Sequence, residues 1–482
     1  MTAGQRAQPD VVVVGAGLAG LATAVALSSA GVAVTLLERK PYVGGRAYSY
    51  HHPALAEEID SQHVLLGCCT NLIDLCRQAG AERYIRWYDE ITFLEPAIGD
   101  HGVRSSVIGP AGLPAPSHST LSFLRASMLG LRDKAVVARG LLEFLRGYPA
   151  SDEEPFSVWL QRTGQTERAI RHFWEPVVVG ALNDSFERCS TRYAGQVFHE
   201  SFLATAAGGR LGIPTQPLST FYASLASLFQ EQGGDLHLRA RVERIEPVAE
   251  GWRLSTADGT DVYAPKVVLA GPFEQAARLL AEVESATPEL QAVREALTHF
   301  VHAPITTVHL WFDREVTELD HAALLDTRIQ WMFNKTRIRR VPEAVSKGGQ
   351  YLELTVSGSF AELKRSRDEI LTDAMAELQR FFPQVRAAKV VKSGVLKEAR
   401  ATFSVLPGLD AHRPSANAPG GGLYLAGDWT WTGWPSTMEG AVRSGRLAAE
   451  AVLRDADEPK SLLTPDLPRT GLMRLLAGTG RR

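Results

Sequence analysis

Residues 11–38 read VVVVGAGLAGLATAVALSSAGVAVTLLE, and this run leaves few folds open. Val11 to Leu37 carries no charge, a length that by count alone would suit a membrane span. The internal pattern says otherwise. Four valines, a glycine turn, an alanine-rich stretch and GVAVTLL read as strand, turn, helix and strand, and continuous apolar runs are what buried parallel strands require. Gly15, Gly17 and Gly20 form G-x-G-x-x-G directly after the strand and directly before the helix. The first permits the tight turn, the second lets backbone approach a pyrophosphate, and the third lets helix pack on strand. Leu18 and Ala19 lie between them, where helix N–H groups and partial positive charge meet the phosphate. The second strand ends at Glu38, where a carboxylate can hold a ribose diol, with Arg39 beside it. Together these residues predict a Rossmann-like dinucleotide-binding unit.

The rest of the chain bounds the answer. At 482 residues it exceeds one simple core, so two closely packed domains are expected. A formal charge of −3 gives no whole-molecule attraction to nucleic acid. Cys68, Cys69, Cys76 and Cys189 are too few for a disulfide framework and suit a reduced, cytosolic setting. Without a Cys-x-x-Cys pair or a nearby His partner, they read as buried small hydrophobes, and no metal site is expected. MTAGQRAQPD lacks the basic and apolar build of a signal peptide. G-x-S-x-G and H-E-x-x-H are absent, so hydrolytic chemistry has no support.

Beyond the opening unit, residues 71–211 read as mostly helical, interrupted by proline-rich passages such as GPAGLPAPSHS. DLHLRARVERIEPV and GWRLSTADGTDVYAPKVVLAG alternate like strands, with Asp258-Gly259 as a tight turn. ITTVHLWFD, RIQWMFNKT and QYLELTVSG are further strands, and 360–382 has helical spacing. Near the other end, residues 423–445 read LYLAGDWTWTGWPSTMEGAVRSG: a strand ending at Gly427-Asp428, then Trp429, Trp431 and Trp434, then a helix expected from Pro435.

PYVGGRA places Gly44, Gly45 and Arg46 just after the first unit, where glycines admit close approach and a guanidinium can pair with a diphosphate. VVVGAGLAGL, LLER, VGGRA and a late AGDW...P.TMEGA, in that order, resemble the FAD-dependent amine oxidase and phytoene desaturase superfamily. The resemblance covers most of the chain and implies FAD as cofactor. It places Val242, in RARVERIE, on an adenine-contacting strand, and Asp428 against ribityl or phosphate-side hydroxyls. Helix N–H groups near Thr437, Met438 and Ala441 would face the flavin's N1–C2 edge and stabilise negative charge there. The implied fold is α/β: a discontinuous FAD-binding domain (9–75, 215–275, 390–455), an inserted α+β substrate domain with a mixed or antiparallel sheet (76–214, 276–389), and a tail (456–482).

IDSQHVLLGCCTNL, ERAIRHFWEPVVVGALND, KEARATFSVLPGLD and the AGDW stretch further resemble the hydroxysqualene dehydroxylases, also called squalene-associated FAD-dependent desaturases. Members show a D-N-G-Q-H-like stretch, whereas this chain reads Asp60-Ser61-Gln62-His63, one residue shorter and without the glycine. Gln62 and His63 still match and are expected beside the flavin. The resemblance implies reductive removal of an allylic hydroxyl from hydroxysqualene, a long apolar isoprenoid, in squalene and hopanoid biosynthesis. Such chemistry needs a proton donor. His63 and Glu175, in HFWEP, are the candidates, with Asp184 a third; alternatively His63 holds the cofactor and Glu175 braces a helix. The tryptophans could wall the flavin and substrate or fill the core. Within the superfamily, an oxidative carotenoid-type desaturase is the next reading. A different class, a non-catalytic prenyl-chain binder like the Rab GDP-dissociation inhibitors, is disfavoured by Glu38, the GGR triplet and Gly427-Asp428.

An isoprenoid of this size resides in bilayers. Residues 119–148 carry Leu121, Leu124, Met128, Leu131, Ala135, Ala138, Leu142 and Leu145 at roughly helical spacing, with Arg and Lys outnumbering Asp and Glu. One amphipathic helix is expected, packed as a core stripe or lying on an anionic surface. PRTGLMRLLAGTGRR repeats the mixture, which suits a protein held peripherally on the cytoplasmic membrane face.

Overall fold

The computed structural model describes residues 8–97, 102–284, 287–342 and 346–476. The extreme N-terminal residues 1–7 and the last six of the tail thus lie outside the described residues.

The opening run folds as its pattern requires. Val11–Val14 is a fully buried strand, Leu18–Ser29 a helix, and Val34–Glu38 the next strand. Val11–Val14 lies at the middle of a five-stranded sheet in the order 235–238, 34–38, 11–14, 266–269, 423–425, with every neighbouring pair parallel. Its apolar continuity follows, since both faces are covered. The outer strand Leu423–Leu425 carries the far end of the chain into the sheet that its beginning starts. An antiparallel meander (242–248, 251–256, 261–264) precedes the fourth strand.

Two helices cross on this sheet. Leu18–Ser29 meets Met438–Arg454, and Thr23 Oγ1 donates to the carbonyl of Gly445 at 3.1 Å. A Cβ at Gly445 would lie 2.3 Å from the Ala19 carbonyl oxygen, so glycine sets how closely the helices approach. The C-terminal helix starts at Met438, three residues later than expected, because residues 429–437 form an irregular turn capped by Thr437. Three of its charged residues, Glu439, Arg443 and Arg446, are buried and paired. Glu439 accepts from Leu72 N at 2.8 Å and Arg443 Nε at 2.6 Å, and Arg446 bonds Asp74 at 2.6 Å. These contacts tie helix Thr70–Gln78 to the nucleotide-binding core.

A second sheet has seven strands in the order 390–403, 302–312, 350–357, 331–334, 321–324, 91–95, 104–108, and all pairs are antiparallel except 321–324 with 91–95. Alternation divides its faces. Leu352, Leu354 and Val356 pack under helix Arg367–Phe381 through Ile370, Ala374 and Leu378. Tyr351, Glu353, Thr355 and Ser357 face the other way, in register with Trp311, His309, Thr307 and Ile305.

Three sequence readings change here. Residues 71–211 hold strands Ile85–Tyr88, Ile91–Glu95 and Arg104–Ile108 besides helices; two of these extend the large sheet, so tertiary pairing overrides the helical reading. Val390–Phe403, expected with the nucleotide-binding part, pairs instead with His302–Phe312 in the large sheet. Residues 119–148 are two helices, Thr120–Arg125 and Leu131–Phe144. The chain breaks where Met128 turns inward, and Gly130 starts the second helix with its N–H bonded to Asp133 at 2.9 Å.

Packed beneath is a helical layer rich in aromatics, with Phe156, Trp159, Trp174 and Phe198 all buried. Ile170–Trp174 is π-helical, and Pro176 follows at once. Proline has no N–H for the carbonyl four residues back, so the preceding turn widens. All four cysteines are free and buried.

Candidate active site: a cofactor cradle opening onto an apolar arm

One cavity of about 570 Å³ runs along the C-terminal ends of the parallel strands and continues between the large sheet and the helical layer. Every cofactor residue anticipated from the sequence lines it except Gly20.

The first wall is the glycine turn. Gly15 has φ +108°, a conformation that suits glycine, and its N–H donates to the Leu37 carbonyl at 2.7 Å. A Cβ at Gly45 would stand 3.0 Å from Gly17 Cα, so these two glycines leave a narrow floor of bare backbone. Gly20 works from behind: a Cβ there would meet the Gly15 carbonyl oxygen at 1.8 Å, which makes its role close packing of helix on turn. Glu38 is fixed by two backbone donors, Ala16 N to Oε2 and Lys40 N to Oε1, both at 2.8 Å. A carboxylate so oriented keeps lone pairs for a diol.

The opposite wall comes from the other end of the chain. Asp428 pairs with Arg46 at 2.5 Å and accepts from Ser436 Oγ at 2.5 Å. The guanidinium expected to meet phosphate therefore binds the carboxylate expected to meet hydroxyls, and the pair closes the cradle across the whole sequence. Thr437 spends its hydroxyl on Gly440 N at 3.0 Å as the helix cap, while the first helical turn lines the cavity through Met438 and Ala441. The three indoles have separate fates. Trp429 is core, donating to the Gly271 carbonyl at 3.0 Å; Trp431 is exposed; Trp434 lines the cavity.

Beyond the cradle lies the arm. Pro176, Val177, Gly180 and Ala181 present one small-residue face of helix Glu175–Leu182, opposite Trp331 and Ile305 of the sheet. A Cβ at Gly180 would come within 3.0 Å of Trp331 Nε1, so the glycine keeps the arm open.

Of the proton donors anticipated, His63 alone lines the cavity. Its Nδ1 lies 2.7 Å from the Ser61 carbonyl, which can only accept, so Nδ1 carries the proton and Nε2 is left as an acceptor. Burial lowers its pKa, which further favours the neutral ring. His63 is therefore placed to accept a hydrogen bond rather than to give a proton. Glu175 and Asp184 do not line the cavity. Asp184 is an ion-pair partner of Arg188 at 2.9 Å. Glu175 is acted on by Arg171, Asp326 and His172 rather than set in the arm that Pro176 and Val177 line, and burial raises its pKa.

Two groups the sequence did not single out matter more. Glu398 faces the cavity in register with Ile305, and burial raises its pKa against the pull of Lys40. Glu274 also lines the cavity, but there hydrogen bonding and charge from His302 and Arg46 outweigh burial and keep its carboxyl low. Beneath the Gln62–His63 turn lies a buried charge cluster. Lys335 Nζ bonds Asp60 Oδ1 and Gln62 Oε1 at 2.8 Å and Glu353 Oε2 at 2.9 Å, and Arg339 reaches Asp60 at 3.2 Å. Glu353 also accepts from Gln62 N. This cluster, rather than a glycine, sets the backbone of the shortened turn.

A family model described as flavin containing amine oxidoreductase matches residues 18–453. The chain belongs to this family. Its relatives include a 15-cis-phytoene desaturase of Glycine max, 28% identical over 463 residues (93% of this chain, 80% of that one). A probable zeta-carotene desaturase of Synechococcus elongatus is 28% identical over 491 residues (92% and 98%). Among solved structures, a putrescine oxidase variant superposes with a TM-score of 0.71 at 17% identity, covering 93% of this chain and 99% of that one. A putative protoporphyrinogen oxidase from Exiguobacterium gives 0.67 at 19% identity, covering 94% and 100%. This flavoprotein is an FAD-dependent oxidoreductase with an amine-oxidase-like fold. The bare glycine floor, the oriented Glu38 and the helix start at Met438 fit an FAD laid along the cradle.

Proposed function

We propose that the enzyme reductively removes the allylic hydroxyl of hydroxysqualene to give squalene. The observation that carries the substrate class is the apolar arm, continuous with the cofactor cradle and lined by aliphatic, aromatic and small residues. The finer choice is supported by the sequence resemblance at Gln62–His63, HFWEP and the AGDW stretch. When bound and reduced, FAD supplies a hydride to the allylic carbon. The C–O bond breaks, and the hydroxyl leaves as water once it has gained a proton. Glu398, rather than His63 or Glu175, is placed to give that proton: its carboxyl lines the cavity, where Glu175 does not, and burial raises its pKa. His63 Nε2 accepts a hydrogen bond from the substrate or cofactor.

Glu398→Gln is expected to lower kcat about 100-fold with flavin retained, whereas His63→Ala loses less than about tenfold. Near-normal turnover of the Glu398 variant would remove the carboxyl from the mechanism. A second reading, a carotenoid-type desaturase using the flavin as oxidant, is supported by the phytoene and zeta-carotene desaturase relatives. Anaerobic assay of the reduced enzyme with hydroxysqualene, beside oxidative assay with phytoene, separates the two. Squalene formed in the first and nothing in the second is expected; the reverse result establishes the desaturase.

A further inference from the structure

Of the stripe in residues 119–148, Met128 and Leu145 pack inward, but Leu121, Leu124, Leu131 and Leu142 stay out of the core. On helix Leu131–Phe144 the inward positions are Val137, Gly140 and Phe144. Leu131 and Leu142 point outward, 87% and 65% exposed, with Ala135 and Ala138 between them on the same face. Leu124, on the preceding short helix, is 55% exposed. The two helices are locked together by Lys134 Nζ, which donates to the Leu124 carbonyl at 2.7 Å.

The C-terminal segment adds to the same side. Met473 is buried and anchors it, Thr470 N bonds the Ala204 carbonyl at 3.0 Å, and Leu472 N bonds the Ala115 carbonyl at 2.9 Å. Arg469 reaches the Arg146 carbonyl, just beyond the end of the second helix, at 3.3 Å. So held, the segment presents Leu475 at 84% exposure. Water-facing leucines on two successive helices and on the C-terminal segment tied beside them by Arg469 form a surface patch rather than scattered single residues.

Its charge is one-sided. Arg125, Arg132, Arg139 and Arg146 are exposed around the leucines. The acids in the same stretch are engaged: Asp133 by Gly130 N and Thr166 Oγ1, Glu143 by Trp159 Nε1 at 2.9 Å and by Arg162. Guanidinium groups with no ion-pair partner among the described residues, interleaved with leucine side chains, suit a lipid surface that is apolar beneath and anionic on top. The whole chain is net negative, which makes this local excess the more selective.

The patch is joined to the cavity. Phe123 of the first helix meets Phe173 edge-on at 5.6 Å, Phe173 stacks with Phe198 at 5.6 Å, and Phe198 contacts Phe202 at 5.9 Å. Phe202 lines the cavity, as does Val177, one helical turn beyond Phe173. An aromatic wall, with Phe198 set in the core behind it, thus leads from Phe123, beside Leu124, to the arm.

We propose that the face formed by Leu124, Leu131, Leu142 and Leu475 docks on an anionic lipid bilayer, and that the substrate passes from the bilayer along the Phe123–Phe202 wall into the arm. The second part rests on the isoprenoid reading of the site; the first does not. The test is sedimentation of the FAD-loaded enzyme with vesicles of phosphatidylcholine alone or mixed with phosphatidylglycerol. Pelleting with the anionic vesicles at low salt is expected, falling several-fold at 0.5 M salt and at least tenfold in Leu131→Asp/Leu142→Asp/Leu475→Asp. The variant is expected to keep its flavin spectrum and its turnover of detergent-dispersed substrate, while turnover of vesicle-borne substrate falls about tenfold. No pelleting at low salt, or pelleting unchanged in the variant, overturns the docking. So does a solution dimer that the same variant dissociates, because the patch is then an interface between copies. Pelleting without turnover of any isoprenoid leaves docking standing and overturns the functional reading instead.

Discussion

Gly20 shows how tightly single residues are constrained at the cradle. The missing Cβ would fall 1.8 Å from the Gly15 carbonyl oxygen, backbone that cannot give way without moving the turn that floors the cofactor. Gly20→Ala is expected to cost about 1–3 kcal/mol of stability and to release most of the flavin, read by denaturant melts and by absorbance after gel filtration. A variant that binds flavin normally would show that the turn tolerates the shift. Residues of this kind were readable in the sequence because their geometry is local: Gly15, Gly17, Gly20 and Glu38 stand at spacings that one strand–turn–helix dictates. Glu398 was not. It reaches the cavity only because its strand pairs with His302–Phe312 in a particular register, and no pattern within KEARATF declares that partner. The same holds for Lys335, two of whose acceptors, Asp60 and Gln62, lie 275 and 273 residues away in the sequence.

At the scale of elements, helix and strand types in the opening unit follow from their own periodicity, while the break at Ala126–Gly130 depends on Met128 finding space in the core. The large sheet carries its own pH sensitivity. Burial lowers the pKa of His321, on strand His321–Leu324, from 6.5 to about 4, and burial with the nearby Lys335 lowers that of His309 to about 3. A base with a depressed folded pKa stabilises the fold above its unfolded pKa, and that stability is lost as pH falls toward the folded value. For His321 the fall from 6.5 to about 4 corresponds to about 3 kcal/mol. Urea melts are therefore expected to weaken steadily below pH 6.5, with a shallower slope in His321→Gln. Equal slopes for the two proteins would show that His321 does not contribute.

For the molecule as a whole, the cradle draws its walls from the opening strand–turn–helix, from the meander at Val242 and from the Gly427–Met438 turn, so cofactor and fold are linked. Flavin binds only the assembled form, and saturating FAD at 100 times its Kd is worth about 2.7 kcal/mol. The apoprotein is expected to melt several degrees lower and to recover on adding FAD, as differential scanning calorimetry would show. Identical melting with and without FAD would mean that the walls stand without it.

The pairing of Arg46 with Asp428, and of strand Lys266–Leu269 with Leu423–Leu425, also has a bearing on how the protein is made. A ribosome adding roughly 5–20 residues per second leaves the glycine turn waiting tens of seconds for its opposite wall. During that interval the nascent chain exposes the edge of an apolar parallel sheet and has only half a nucleotide site. Flavin capture is thereby a late event in synthesis, and chains truncated before residue 441 are expected to emerge colourless and to depend on chaperones.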